Sequence, residues 1–389
     1  MLFDYPAKHL WDIERRWNIG GPKLPMRERV PMAGTSNVDI DLFINSPFGE
    51  KQVALMENYI LYEDPMDPEL VEKYRKIGLK KEMFETENLY TRWALFTPLS
   101  MYEATSRGRL YPLLFVLHGA TMPIDWEECS GFLPLAARDE VIVVSPQNHN
   151  EGNIMRLLDK VCAHYPVDKS RIYSTGYSQG GMKTNHVTLL HPEIFAAAAP
   201  CGMHLCLPSS VLSDEQLSEA AKYELPIISI SGCEEMLHIF PVCDDMPLQE
   251  RGRPRGIEPD PEDPTLMDMD IGIVTGAASE KIILLKRRLK SASCRDLSIE
   301  ECNAAHKSSD RVTCRLGFPS DNTEILNILG VEHYVAGFKN KHGHSYLKIV
   351  GIDNMPHWPP ASMAELAWDF MKRFSRDMET KEIHDSFSC

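Results

Sequence analysis

The stretch from Arg171 to Leu190 constrains this 389-residue chain more than any other. A short run, Arg171 to Ser174, leads into Gly176-Tyr177-Ser178-Gln179-Gly180, and a helical pattern from Met182 to Leu190 follows. Strand, sharp turn and helix is the arrangement that holds a nucleophilic serine above the edge of a sheet. Such a turn strains the serine backbone and leaves room only for small neighbours, a need that Gly176 and Gly180 meet. Roughly one chain of this length in ten carries Gly-x-Ser-x-Gly by chance. The weight of the motif therefore comes from its surroundings.

Those surroundings read as alternating strands and helices. Leu113 to Leu117 and Val141 to Val144 are continuous apolar runs, as expected of strands covered on both faces. Between them and the serine, Ile154, Leu157, Leu158, Val161 and Cys162 fall on one helical face. Thr91 to Phe96, Phe195 to Ala199, Ile227 to Ile230, Glu332 to Phe338 and Tyr346 to Val350 add strands. Ser362 and Glu365 have the spacing of a capping box opening a last helix. Short loops between strand and helix argue a parallel sheet with right-handed crossovers. The predicted fold class is α/β, with a mostly parallel central sheet flanked by helices.

Four segments follow. Residues 1–89 form an N-terminal extension, broken into loops at its start, with a strand at Val38 to Phe43 and a charged helix at Pro68 to Met83. Residues 90–240 and 321–376 form the core. Residues 241–320 are an insertion suited to capping a site. They hold the proline-broken loop Pro247 to Pro264, a helix at Glu280 to Leu289 and a polar stretch from Cys294 to Arg315. Residues 377–389 are a charged, frayed tail.

Composition narrows the function classes. With a net charge of −15 and a pI near 5.4, the surface repels phosphate backbones and anionic lipid, so no nucleic-acid or membrane partner is expected. No run approaches ~18 uninterrupted apolar residues, and Met1 to Arg16 lacks the pattern of a signal peptide. A cytoplasmic protein is expected, with a small-molecule substrate and room for homo-oligomer contacts. The ten cysteines (129, 162, 201, 206, 233, 243, 294, 302, 314 and 389) include no C-x-x-C pair and are expected to be reduced, with a bridge among Cys294, Cys302 and Cys314 as the alternative.

Acyl transfer needs a nucleophile, a base, an acid to orient the base, and donors for the oxyanion. Ser178 is the candidate nucleophile. His357, in the loop after the last strand, is the candidate base. The acid should follow the strand ending at Ile230, where Glu235 is preferred over Glu234. Asp353 is a weaker rival on the histidine's own loop, and Asp244 and Asp245 lie further from the strand end. The backbone N–H of Gln179 and that of Ala120, with Thr121 next in line, are the candidate oxyanion donors, and His118 is expected to tie down their loop. His342 and His344 stand two apart on a turn without a fixed carboxylate, so no metal is expected. There is no G-x-x-x-x-G-K or G-x-G-x-x-G, and no cofactor is expected.

Val167-Asp168-Lys169-Ser170-Arg171-Ile172-Tyr173 followed by Gly176-Tyr177-Ser178-Gln179-Gly180-Gly181-Met182 resembles the polyhydroxybutyrate depolymerase and feruloyl esterase group of α/β-hydrolases. Leu117-His118-Gly119-Ala120 and His357-Trp358-Pro359 are similar to that group's oxyanion and histidine loops. The resemblance spans about residues 90 to 235 and 330 to 375, and the order Ser, acid, His agrees with it. It implies an α/β-hydrolase fold and a serine carboxylesterase acting through an acyl-enzyme. The group usually places an aspartate where Glu235 stands. Without a secretion signal or polymer-binding part, a small soluble ester is expected as substrate. The alternatives are an acyltransferase, a serine peptidase on the same fold, or a non-catalytic binding protein.

Overall fold

The computed structural model describes residues 46–60, 66–84, 92–119, 124, 127–202, 207, 212–233, 240–242, 278–355, 357 and 359–387. The predicted α/β architecture, a mostly parallel sheet flanked by helices, holds. A ten-stranded sheet runs in the order β1-β2-β4-β3-β5-β6-β7-β10-β9-β8. Its strands are β1 Leu79–Phe84, β2 Trp93–Pro98, β3 Tyr111–Leu117, β4 Ile142–Pro146, β5 Val167–Tyr177, β6 Ala197–Cys201, β7 Ile227–Gly232, β8 Asn322–Ile328, β9 Val331–Phe338 and β10 Leu347–Ile352. From β4 across to β10 every neighbouring pair is parallel; the pairs outside them are antiparallel.

Burial explains this order. Every residue of β2, β3, β4, β6 and β7 is buried, so these strands need layers on both faces. At one edge β1 alternates between buried and half-buried residues, and at the other β8 exposes Asn322, Thr323 and Glu324. Polar edge strands discourage pairing with another chain.

Among the helices are α1 Pro47–Ile60, α2 Pro68–Lys76, α3 Phe132–Asp139, α4 Glu151–His164, α5 Gln179–Leu190, α6 Asp214–Ala220, α7 Ala278–Ser291, α8 Ile299–Ala305, α9 Arg311–Leu316 and α10 Met363–Met371. α5 packs on β3, β5 and β6, while α10 packs on α3, β6 and β7. α7 is anchored by Arg287, whose guanidinium donates to the carbonyls of Leu207 and Leu212 and to Asp214.

Several local expectations change. The single helix predicted over Pro68 to Met83 is α2 plus β1. Gly78, at φ +96°, stops the helix just past its C-cap, and the chain continues as the sheet's edge strand. The capping box at Ser362 does not form: the Ser362 hydroxyl instead reaches Nε2 of His333 at 2.7 Å. The stretch Cys294 to Arg315 contains α8 and α9, each with a side-chain cap from Ser298 or Asp310. Cys294, Cys302 and Cys314 are free thiols, as are Cys162, Cys201 and Cys233. Val38 to Phe43 and Pro247 to Pro264 lie outside the described residues.

The tail is not frayed up to residue 385. Phe374–Arg376 and Ile383–Asp385 form a two-stranded ribbon, β11 and β12. Arg376 is fully buried and donates to the carbonyls of Phe195, Lys381 and Glu224. Burial lowers its pKa to about 10, which leaves it charged at neutral pH. Arg376→Leu removes the donor to three carbonyls, one of them fully buried, so chemical denaturation should show a loss of about 2–5 kcal/mol. A loss under about 1 kcal/mol would mean that the ribbon is not held this way.

His333 gives a second prediction. Its Nδ1–H donates to the Val331 carbonyl and its Nε2 accepts from Ser362. Burial holds its pKa down from 6.5 to about 4. Above pH 6.5 the ring is neutral in both folded and unfolded chains. Below it, the unfolded chain gains a proton that the folded chain refuses, so stability falls as pH drops from 6.5 through 4. Between pH 7 and pH 5 this amounts to about 2 kcal/mol. His333→Gln should lose correspondingly less stability over that interval in urea titrations; an equal loss would contradict the assignment.

Candidate active site

β5 delivers the serine. After Tyr177 the chain turns at Ser178, with φ 55° and ψ −115°, and enters α5 at Gln179. A left-handed conformation at a non-glycine residue is strained and persists only where the surroundings impose it. Here the Ser178 N–H donates to the Cys201 carbonyl at 2.9 Å, and its carbonyl accepts from Met182 at 3.0 Å. The first turn of α5 then lies directly on β3. A Cβ at Gly180 would sit 2.0 Å from the Leu117 carbonyl oxygen, and one at Gly176 2.6 Å from it. The two glycines of the motif thus allow the helix and two strands to touch through backbone alone.

Ser178 and His357, 179 residues apart in sequence, meet. The Ser178 hydroxyl and Nε2 of His357 are 2.9 Å apart, within hydrogen-bond distance. His357 lies on the loop beyond β10, only 5% exposed, with its ring centroid 5.1 Å from that of Tyr177. A hydroxyl within hydrogen-bond reach of a nearly buried imidazole is the arrangement that general-base activation requires.

The remaining predicted residues are placed unevenly. Gln179 opens α5, where the first N–H groups have no acceptor in their own helix and carry the positive end of its dipole. His118 follows the end of β3. Its Nδ1 lies 2.8 Å from the Gly119 carbonyl and its Nε2 2.9 Å from that of Gln147. Ala120, Thr121, Glu234, Glu235, Asp244, Asp245 and Trp358 fall outside the described residues. Asp353 accepts from Arg315 at 3.1 Å, with its side chain 41% exposed.

The topology puts this site where a ligand crevice belongs. Chain progression from β3 runs outward to β4, whereas from β5 it runs the other way to β6 and β7. Open α/β sheets bind ligands beyond the strand C-termini at such a reversal. His118 follows β3 and Ser178 follows β5, one on each side of it.

Comparison with known proteins adds one sequence relative. The chain is 30% identical to poly(3-hydroxyalkanoate) depolymerase C of Paucimonas lemoignei, across 25% of this chain and 30% of that protein. It therefore spans less than a third of that curated relative's length. No protein-family profile matches. Among solved structures, it is similar to an acetyl xylan esterase from Aspergillus awamori, at 11% identity and a TM-score of 0.44, covering 75% of this chain and 99% of that one. It is also similar to a fluorophosphonate-binding serine hydrolase of Staphylococcus aureus, at 16% identity and a TM-score of 0.34, covering 41% and 82%.

Sequence reasoning missed the buried polar contact beside the end of β3. His149, in the loop from β4 to α4, is 2% exposed and packs edge-on to His118. Burial first, then the neighbouring His118 and Lys183, hold its pKa well below 6.5. Lys183, on α5, reaches the side-chain oxygen of Asn150 at 3.4 Å. Nothing in the polar run Gln147-Asn148-His149-Asn150 distinguishes a buried imidazole from a solvated one.

His342 and His344 lie on the turn between β9 and β10, at the opposite end of β10 from the loop that carries His357. His344 pairs with Glu224 at 3.0 Å. Among the described residues no cluster of three or more His, Cys, Asp or Glu is arranged to hold a metal, and no helix is long and apolar enough to cross a membrane.

Proposed function

We propose that this chain is a serine ester hydrolase acting on a small soluble ester. Ser178 attacks the ester carbonyl as His357 takes its proton, and Glu235 orients the imidazole and stabilises its charged form. The oxyanion accepts from the N–H groups of Gln179 and Ala120. His357 then protonates the leaving alcohol, and water repeats the cycle on the acyl-enzyme. No cofactor or metal is required.

The observation that carries this reading is the 2.9 Å contact between the hydroxyl of a strained elbow serine and a nearly buried imidazole. A serine needs no such backbone, nor a base within reach, to serve as a structural hydroxyl. The sequence likeness to a depolymerase supports the same class of chemistry. In this reading residues 90–240 and 321–376 are the catalytic core. Residues 1–89 extend it at the N-terminus, 241–320 cap the pocket, and 377–389 close the chain. Its setting is the cytoplasm, without nucleic-acid partners and with self-association as the only protein contact proposed.

The test is a fluorophosphonate probe. Labelling on the Ser178 peptide, together with hydrolysis of short-chain p-nitrophenyl esters well above that of matched amides, supports the reading. Amide cleavage as fast as ester cleavage favours a peptidase, and product formation only with an added alcohol or amine favours an acyltransferase. A chain that neither labels nor turns over ester is not this enzyme.

A further inference from the structure

Tyr177 closes β5, one residue before the elbow serine, and takes no chemical part in the proposed cycle. Three observations tie it to that cycle. Its ring, on a side chain only 1% exposed, has its centroid 5.1 Å from that of His357, at an interplanar angle of 39°. That is inside the range of about 4.5–7 Å over which aromatic rings attract one another. The same ring backs directly onto Gly202, where a Cβ would sit 2.6 Å from Cε2 and 2.9 Å from Cζ. Gly202 has φ +71°, and its N–H donates to the Ile230 carbonyl at 2.8 Å, so the backbone behind the ring is pinned to β7. Finally, Tyr177 pairs with Cys201 in the sheet, and the Ser178 N–H donates to the Cys201 carbonyl at 2.9 Å. Ring and nucleophile therefore leave one rigid strand end as consecutive residues.

His357 arrives from a separate element, the loop beyond β10. Its contact with the Ser178 hydroxyl at 2.9 Å is a single point. One hydrogen bond lets the imidazole swing about that point and lets the loop withdraw. A flat surface beside it removes that freedom, because a reacting group holds its geometry when packing locks its rotamer. We propose that Tyr177 is a positioning residue for His357: its ring, backed by Gly202, is the platform that keeps Nε2 within reach of the Ser178 hydroxyl. The effect on turnover rests on the reading of His357 as the base; the contact between the rings does not. The part that acts is the ring, so phenylalanine replaces it and an aliphatic side chain does not.

The test compares Tyr177→Leu with Tyr177→Phe in the full-length chain. The readouts are hydrolysis of p-nitrophenyl esters, the rate of fluorophosphonate labelling, and ¹H–¹³C spectra of the histidine rings, with His357 assigned by its absence in His357→Gln. Tyr177→Leu should lower kcat by about 10- to 10²-fold with KM within about twofold, because a misplaced base slows the chemical step and leaves binding alone. Labelling should slow in parallel. Tyr177→Phe should hold kcat within about threefold of wild type. The His357 ring signals should move in Tyr177→Leu, where the aromatic ring current is gone, and stay in place in Tyr177→Phe. If the leucine variant does not fold, Tyr177→Met, unbranched and adaptable, is read the same way. A side chain that only fills the core would shift the urea midpoint and leave kcat of the folded protein unchanged. A folded leucine or methionine variant with wild-type kcat therefore overturns the positioning role, as does a phenylalanine variant as slow as the leucine one. Unmoved His357 signals in Tyr177→Leu overturn the contact itself, whether or not the protein hydrolyses esters. Failure of the esterase reading has a different signature: no labelling and no turnover in the wild type, while the ring signals still move.

Discussion

Ser178→Ala should reduce ester hydrolysis by roughly 10⁴–10⁶-fold in kcat and abolish fluorophosphonate labelling, with no loss of stability. The magnitude follows from removing the only atom that forms the covalent bond. What remains is attack by water, helped only by the oxyanion donors and binding. Stability should hold because the hydroxyl meets His357, on the loop beyond β10. Alanine at a left-handed position carries the same Cβ as serine, so the backbone strain does not change. Urea titration should give matching midpoints for the two proteins. A variant that kept more than about a tenth of wild-type kcat would mean that chemistry runs elsewhere.

The second large effect belongs to a residue with no chemistry. Gly180→Ala places a methyl 2.0 Å from the Leu117 carbonyl oxygen, 2.5 Å from its carbon and 2.7 Å from the His118 oxygen. All three atoms are backbone, so no side-chain rotation relieves the overlap. The first turn of α5 must move off β3, and with it the Gln179 amide and the elbow. We expect a loss of about 2–5 kcal/mol in stability and of at least 10²-fold in kcat. Gly152→Ala, in α4, is the control. Its Cβ meets nothing within 4 Å, so it should be neutral or stabilising by up to about 1 kcal/mol. Similar losses in the two variants would argue against backbone contact as the reason for Gly180.

The parts legible in the sequence were those where one pattern had one physical meaning. Leu113 to Leu117 and Ile227 to Ile230 are apolar throughout because they are covered on both faces, and both are central strands. The glycines around Ser178 marked a backbone contact before any coordinates did. His357 could be chosen because it follows the last strand, where the chain must return to the sheet edge. What stayed hidden was polar and dependent on tertiary contacts. β8, with Asn322, Thr323 and Glu324, carries no strand signal because an edge strand need not be apolar. β1 merges with α2 in the charged pattern of Pro68 to Met83, and only the structure shows Gly78 stopping the helix between them. Ser362 has the spacing of a cap, yet its hydroxyl serves His333 from across the fold. His149 gave no local signal, because burial of an imidazole depends on what packs over it.

The central claim is that Ser178 carries the acyl group during turnover. Intact and peptide mass spectrometry after rapid acid quench of a p-nitrophenyl ester reaction measures this directly. The account predicts a burst of acyl-enzyme carrying one acyl mass on the peptide that contains Ser178, absent in Ser178→Ala. Ester turnover with the acyl mass on another residue, or with no covalent species under conditions where deacylation limits the rate, would contradict it.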